Sequence, residues 1–146
     1  MRVPGAIEGE TMRILGRTGT PRPQNMREYR DSRWSGDTQL WWTGAKPGDQ
    51  LTLALPVMPP GLYVVKAVFS RAPDYGTIRV LLDGQPLSQK QIDCFGSKVT
   101  TTPLLTLGER ELTAGDHRLT LEVTGANPEA LKSYMVGLDY VWIERK

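Results

Sequence analysis

Asp49-Gln50-Leu51-Thr52-Leu53-Ala54-Leu55, then Pro59-Pro60-Gly61-Leu62-Tyr63-Val64-Val65-Lys66-Ala67-Val68-Phe69, then Thr77-Ile78-Arg79-Val80-Leu81-Leu82-Asp83-Gly84, is the stretch that decides the fold class. Large residues recur at every second position in the first segment, the period of a strand with one buried face. Tyr63, Val65, Ala67 and Phe69 share a face in the second. Pro59-Pro60-Gly61 turns the chain between them, because proline fixes φ and glycine accepts a positive φ. Asp83-Gly84 suits a type I′ hairpin. The pattern predicts three antiparallel strands in a row, a meander whose apolar face needs a second sheet to cover it.

Further strands follow outward from that centre. Leu104 to Leu112 reads as a strand kinked at Gly108, and His117 to Thr124 alternates cleanly. Tyr134 to Ile143 is a last strand rich in aromatic and β-branched residues. Ser88 to Phe95 starts a crossing segment, and Gly125 to Ser133 is a loop. About nine short strands with turn signals between them predict an all-β, antiparallel β-sandwich or jelly roll. At 146 residues the chain is long enough to bury one core without disulfides, so residues 1–146 read as one domain.

Towards the N-terminus, Ala6 to Leu15 reads as a first strand bearing Glu8 and Glu10, which two-residue spacing would put on one face. Two readings stand open: a charged strand edge that discourages aggregation, or half of an oxygen-ligand site for a hard cation such as Ca²⁺. Gly16 to Ser32 shows neither period and reads as a long loop. In Thr38-Gln39-Leu40-Trp41-Trp42-Thr43, adjacent tryptophans on a strand must face opposite ways, one into the core beside Leu40 and one outward or into a cleft.

Composition narrows the function classes. Eighteen basic against 16 acidic residues leave a formal charge of +2, and Arg27, Arg30 and Arg33 are interrupted by Glu28 and Asp31, so no nucleic-acid surface is expected. No apolar run approaches the ~20 residues of a membrane span. Met1 to Gly5 lacks an apolar signal core, which fits a cytoplasmic protein or, equally, a domain cut from a longer secreted chain. Cys94 is the single cysteine, so neither a disulfide framework nor a cysteine metal site is expected. His117, the single histidine, stands at a turn-to-strand entry and is expected to be exposed and idle. No nucleophile elbow, metal-spaced histidines or phosphate-cradling glycine loop is present. A two-carboxylate hydrolase stays open by counting alone, but a sandwich this small is a poor home for one, so no enzyme is expected.

Trp34-Ser35-Gly36-Asp37-Thr38-Gln39-Leu40-Trp41-Trp42, Arg71-Ala72-Pro73-Asp74-Tyr75-Gly76 and Tyr134-Met135-Val136-Gly137-Leu138-Asp139-Tyr140, in that order, resemble the galactose-binding-like β-sandwiches to which many carbohydrate-binding modules belong. Modules of this kind are often appended to bacterial secreted hydrolases and sugar-active proteins. The resemblance runs from Ile7 to Glu144. It implies a structural Ca²⁺ shared by Glu8, Glu10 and Asp139. It also implies a polysaccharide or oligosaccharide partner, an attached catalytic domain in a longer parent chain, and an extracellular or periplasmic setting. By residue type and loop position, Trp34, Tyr75 and Tyr134 are the candidate platforms for sugar rings, with Asp74, Arg71 and Asn127 as polar partners. Each also has an ordinary reading: a turn at Asp74, a strand-start core residue at Tyr134, an Asx turn at Asn127. The alternative to a sugar module is a structural domain that packs on its parent enzyme or self-associates.

Overall fold

Leu51, Leu53, Leu55, Val65, Ala67 and Phe69 are all fully buried, as their alternation requires. The computed structural model describes residues 1–87 and 90–146; Ser88 and Gln89, the start of the expected crossing segment, lie outside them. Thirteen strands are described: β1 (Ile7–Glu8), β2 (Ile14–Arg17), β3 (Thr20–Asn25), β4 (Thr38–Thr43), β5 (Gln50–Val57), β6 (Gly61–Arg71), β7 (Thr77–Leu82), β8 (Gln85–Pro86), β9 (Ile92–Asp93), β10 (Thr100–Thr101), β11 (Leu105–Leu112), β12 (Gly115–Gly125) and β13 (Val136–Arg145). One sheet runs β10-β6-β13-β4-β3, with β1 on β13 and β11 on β6. The other runs β2-β5-β12-β7-β8, with β9 on β7. The pairings are antiparallel, and the two sheets face each other as a β-sandwich.

The three central strands are not a meander. β5 and β7 both pair with β12, while β6 pairs with β13 and β11 in the opposite sheet. Alternation tells which face of a strand is buried; it does not tell which strand lies beside it. The chain changes sheet between β5 and β6, through a turn with a cis Met58–Pro59 bond. Asp83-Gly84 behaves as expected: both residues have positive φ (51° and 82°), and Leu82 pairs with Gln85. The kink near Gly108 is a bulge in the β11–β6 ladder between Thr106 and Gly108.

Two N-terminal expectations are corrected. The expected strand from Ala6 to Leu15 is broken by a 3₁₀ turn at Gly9–Thr11, where Gly9 lies against Leu138 with no room for a β-carbon. Glu8 and Glu10 therefore do not share one strand face. The expected loop from Gly16 to Ser32 holds β3, an edge strand on β4. Pro21 and Pro23 are two apart, so both missing N–H groups fall on the same side of β3, the open edge, where no ladder bond is lost.

His117 is not idle. Its Nδ1 stands 2.6 Å from Asp83 Oδ2, and its Nε2 stands 2.8 Å from the Thr113 carbonyl. Asp83 Oδ1 also accepts the Arg118 amide at 2.9 Å, so the group ties the β7–β8 turn to β12 and to the β11–β12 turn.

Candidate functional site

β4 divides its side chains between the two faces of its sheet. Leu40 and Trp42 enter the core, and the Trp42 indole donates to the Thr18 carbonyl at 2.6 Å. Gln39 and Trp41 take the opposite face. Gln39 is completely buried there: its amide nitrogen donates to Gln24 Oε1 (2.8 Å) and to the Tyr75 hydroxyl (3.0 Å), and its oxygen accepts from Ser70. Ser70 Oγ accepts in turn from the Trp34 indole at 2.8 Å. Burial of these polar groups is tolerated because each finds a partner. The chain forms a floor of fixed geometry beneath the loops.

On that floor lies a groove of about 310 Å³, lined by Gln24, Tyr29, Trp41, Asp74, Tyr75 and Leu131 among others. Trp41 is half-buried, with the Arg22 guanidinium packed over its ring at 4.9 Å. Tyr29 packs obliquely on Trp34, ring centres 6.3 Å apart. Burial pushes the Tyr29 hydroxyl above its usual range, with the Glu28 carboxylate adding to it. Burial pushes Tyr75 up strongly, outweighing its bond to Gln39, so that hydroxyl stays protonated. The groove thus offers aromatic edges and faces, one carboxylate and side-chain amide atoms. That mixture suits a ligand with apolar C–H faces and many hydroxyls.

The six expected ligand residues separate. Asp74 and Tyr75 line the groove. Trp34 and Tyr75 are buried, 3% and 5% exposed, so neither presents an open ring face. Tyr134 packs against the core just before β13, in left-handed backbone (φ 53°). Arg71 lines two other cavities, both also lined by Asp93, and neither shares a lining residue with the groove. Asn127 makes the Asx turn, its Oδ1 accepting the Glu129 amide while its Nδ2 donates to Asp93. The groove aromatics not singled out from the sequence are Trp41 and Tyr29. Trp41 was within reach, since Leu40 and Trp42 share a face and leave Trp41 outward.

The three acidic residues expected at a metal do share one region. β1 pairs with β13, which sets Glu8 opposite Tyr140 and next to Asp139. Asp139 Oδ1 accepts the Ser35 amide at 3.0 Å, and Glu8 Oε1 accepts the Ser35 hydroxyl at 2.7 Å. Glu8 Oε2 and Glu10 Oε1 are buried and find no hydrogen-bond partner among the described residues. Burial, less the Ser35 hydrogen bond, together with the charges of Glu8 and Glu10, pushes Asp139 up to about 7. Burial also raises Glu10, assisted by Glu8 and opposed by a backbone hydrogen bond and Arg2. Among the described residues no three such side chains are gathered closely enough to hold a metal as they stand. Two orphaned oxygens amid three mutually repelling carboxylates nonetheless fit a hard, oxygen-seeking cation in chemistry.

Solved structures share this architecture. A Paenibacillus xanthan lyase superposes with a TM-score of 0.85 at 23% identity, over 100% of this chain and 14% of that one. A family 35 carbohydrate-binding module from Clostridium thermocellum gives 0.59 at 17% identity, over 97% and 98%. The fold is that of the carbohydrate-binding-module β-sandwiches. A family 36 module, solved in complex with calcium and xylotriose, gives 0.51 at 14% identity over 95% and 98%. The chain therefore spans nearly the full length of those two modules and about a seventh of the lyase's length. No protein-family model matches the sequence, and no curated protein does.

Proposed function

We propose that the protein is a non-catalytic carbohydrate-binding module that holds its host protein against a polysaccharide or glycan. The observation that carries this is the groove on the outer face of the β4 sheet, with Trp41 and Tyr29 beside Asp74 and Gln24 over a fully bonded polar floor. Sugar rings would pack their C–H faces on the aromatics, while Asp74 and Gln24 take the hydroxyls. The structural neighbours support this: several are carbohydrate-binding modules, and others are parts of carbohydrate-active enzymes. In that setting the module works by raising local concentration near an attached catalytic domain, outside the cell or in the periplasm. Glu8, Glu10 and Asp139 would hold a structural Ca²⁺, which would neutralise their repulsion and tie β1 to β13.

The burial of Trp34 and Tyr75 favours a second reading, an interaction domain packed on its parent protein without a sugar site. A half-buried Trp41 in an open groove weighs against it. Calorimetric titration against a panel of soluble oligosaccharides, with pull-down on insoluble polysaccharides, separates the two. Binding abolished by Trp41→Ala in a folded protein supports the sugar module. Failure to bind any glycan leaves the interaction domain.

A further inference from the structure

We propose that the glycan bound in this groove is acidic, with its carboxylates taken by an arginine-lined pocket next to the aromatic one. The inference rests on the sugar-binding reading above and extends it to a ligand class. Beside the groove lies a second cavity of about 340 Å³, whose lining includes Arg27, Arg30, Arg33 and Asp37. Tyr29 and Met26 line both cavities, so the two are adjacent along one surface. Residues 22 to 33 hold four arginines and two acidic residues, an excess equal to the net charge of the whole chain. Positive charge is therefore concentrated where the groove continues.

The local acids are partly occupied. Asp37 pairs with Arg27 at 3.4 Å, and the Glu28 carboxylate is close enough to the Tyr29 hydroxyl to help raise its pKa. Arg30 and Arg33 are exposed and make no ion pair or hydrogen bond among the described residues. A guanidinium offers a planar fork of donors that matches a carboxylate in bidentate fashion. A single exposed ion pair is weak, but several like charges around a concavity focus the field on one ligand group. A polysaccharide with one sugar ring against Trp41 and Tyr29 would place a neighbouring uronate, or an acid substituent, across Tyr29 at Arg30 and Arg33.

The test titrates the full chain with xanthan, polygalacturonate and hyaluronan, each beside its carboxyl-reduced form, at low and high salt. Poly-glutamate serves as a polyanion without sugar. At least one native acid polymer should bind about tenfold tighter than its reduced form, the gap narrowing as salt screens the charges. The Arg30→Gln/Arg33→Gln variant should melt like wild type and bring that ratio close to one. Equal binding of native and reduced polymers overturns the acid inference and leaves the sugar reading standing. Poly-glutamate binding as tightly as the acid sugars overturns it too, as does a double variant that keeps its selectivity. Failure of every polymer, acid or reduced, removes the sugar reading along with it.

Discussion

Gln39 lies across Gly137: its side-chain amide occupies the space into which a β-carbon on the neighbouring strand would project. The glycine is thus a packing requirement of the polar floor. Gly137 pairs with Trp41 in the ladder, so the same spot sits directly under the groove. Gly137→Ala should destabilise the fold by about 1–3 kcal/mol through overpacking, read by chemical denaturation. Most of that cost should vanish in a Gln39→Ala background, where the opposing amide is gone. Additive effects in that double-mutant cycle would show that the two residues are not coupled.

Two tryptophans that look alike in the sequence should respond in opposite ways. Trp34 is buried with its indole bonded to Ser70, so Trp34→Ala should cost about 3–5 kcal/mol and leave that hydroxyl without its donor. Trp41 is half-buried, and Trp41→Ala should cost less than about 2 kcal/mol while removing glycan binding. Thermal melts and calorimetry on both variants check this. A Trp34→Ala protein that is stable and fails to bind would move the platform to Trp34.

The difference between those residues shows where sequence reasoning reaches and where it stops. The alternation of Leu51, Leu53 and Leu55 states a face, and the structure buries it. Trp42 follows from the same rule, because it shares Leu40's face. Partner choice is not encoded in periodicity: nothing in β5, β6 or β7 says that β12 will come between β5 and β7, or that β6 will join β13 in the opposite sheet. Thr20–Asn25 carries two prolines and so resembles a loop, although an edge strand tolerates them when both point outward. Trp34 and Tyr75 sit in turn-rich segments that look exposed. Their burial depends on contacts with Ser70 and Gln39, more than thirty residues away in sequence. Glu8 and Asp139 come into one region through β1–β13 pairing, with Glu10 on the 3₁₀ turn that follows β1, even though the expected continuous first strand is absent.

Calcium should stabilise the protein. Orphaned Glu8 Oε2 and Glu10 Oε1 oxygens gain a partner when a cation enters, and the repulsion with Asp139 is relieved. At a hundredfold excess over Kd the gain should be about 2.7 kcal/mol, visible as a higher Tm that chelator reverses. Asp139→Asn removes one negative charge and keeps an oxygen acceptor for the Ser35 amide. The variant should melt no lower than wild type without calcium, and its response to calcium should shrink. A wild-type Tm that ignores both calcium and chelator would dismiss the metal.

His117 and Asp83 should make stability depend on pH in a defined window. The Thr113 carbonyl and the Asp83 carboxylate are both acceptors, so each ring nitrogen needs a proton, and the imidazolium satisfies both. Burial alone would lower the His117 pKa, but the Asp83 and Thr113 hydrogen bonds and the charges of Asp83 and Asp116 outweigh it, raising it above 6.5. For Asp83, burial acts upward, and the Arg118 amide with His117 outweighs it, lowering it below 3.8. A raised histidine contributes fully below pH 6.5 and loses its contribution as pH climbs through the folded value. A lowered aspartate contributes above 3.8 and loses its contribution as pH falls through its folded value. The pair is therefore strongest between those two reference values. Asp83 is 43% exposed at its side chain, so solvent screening holds the effect to about 0.5–1 kcal/mol. His117→Gln should lower Tm by a few degrees near pH 5.5, with the gap to wild type closing towards about pH 9. A gap that stays constant with pH would mean that His117 acts by packing alone.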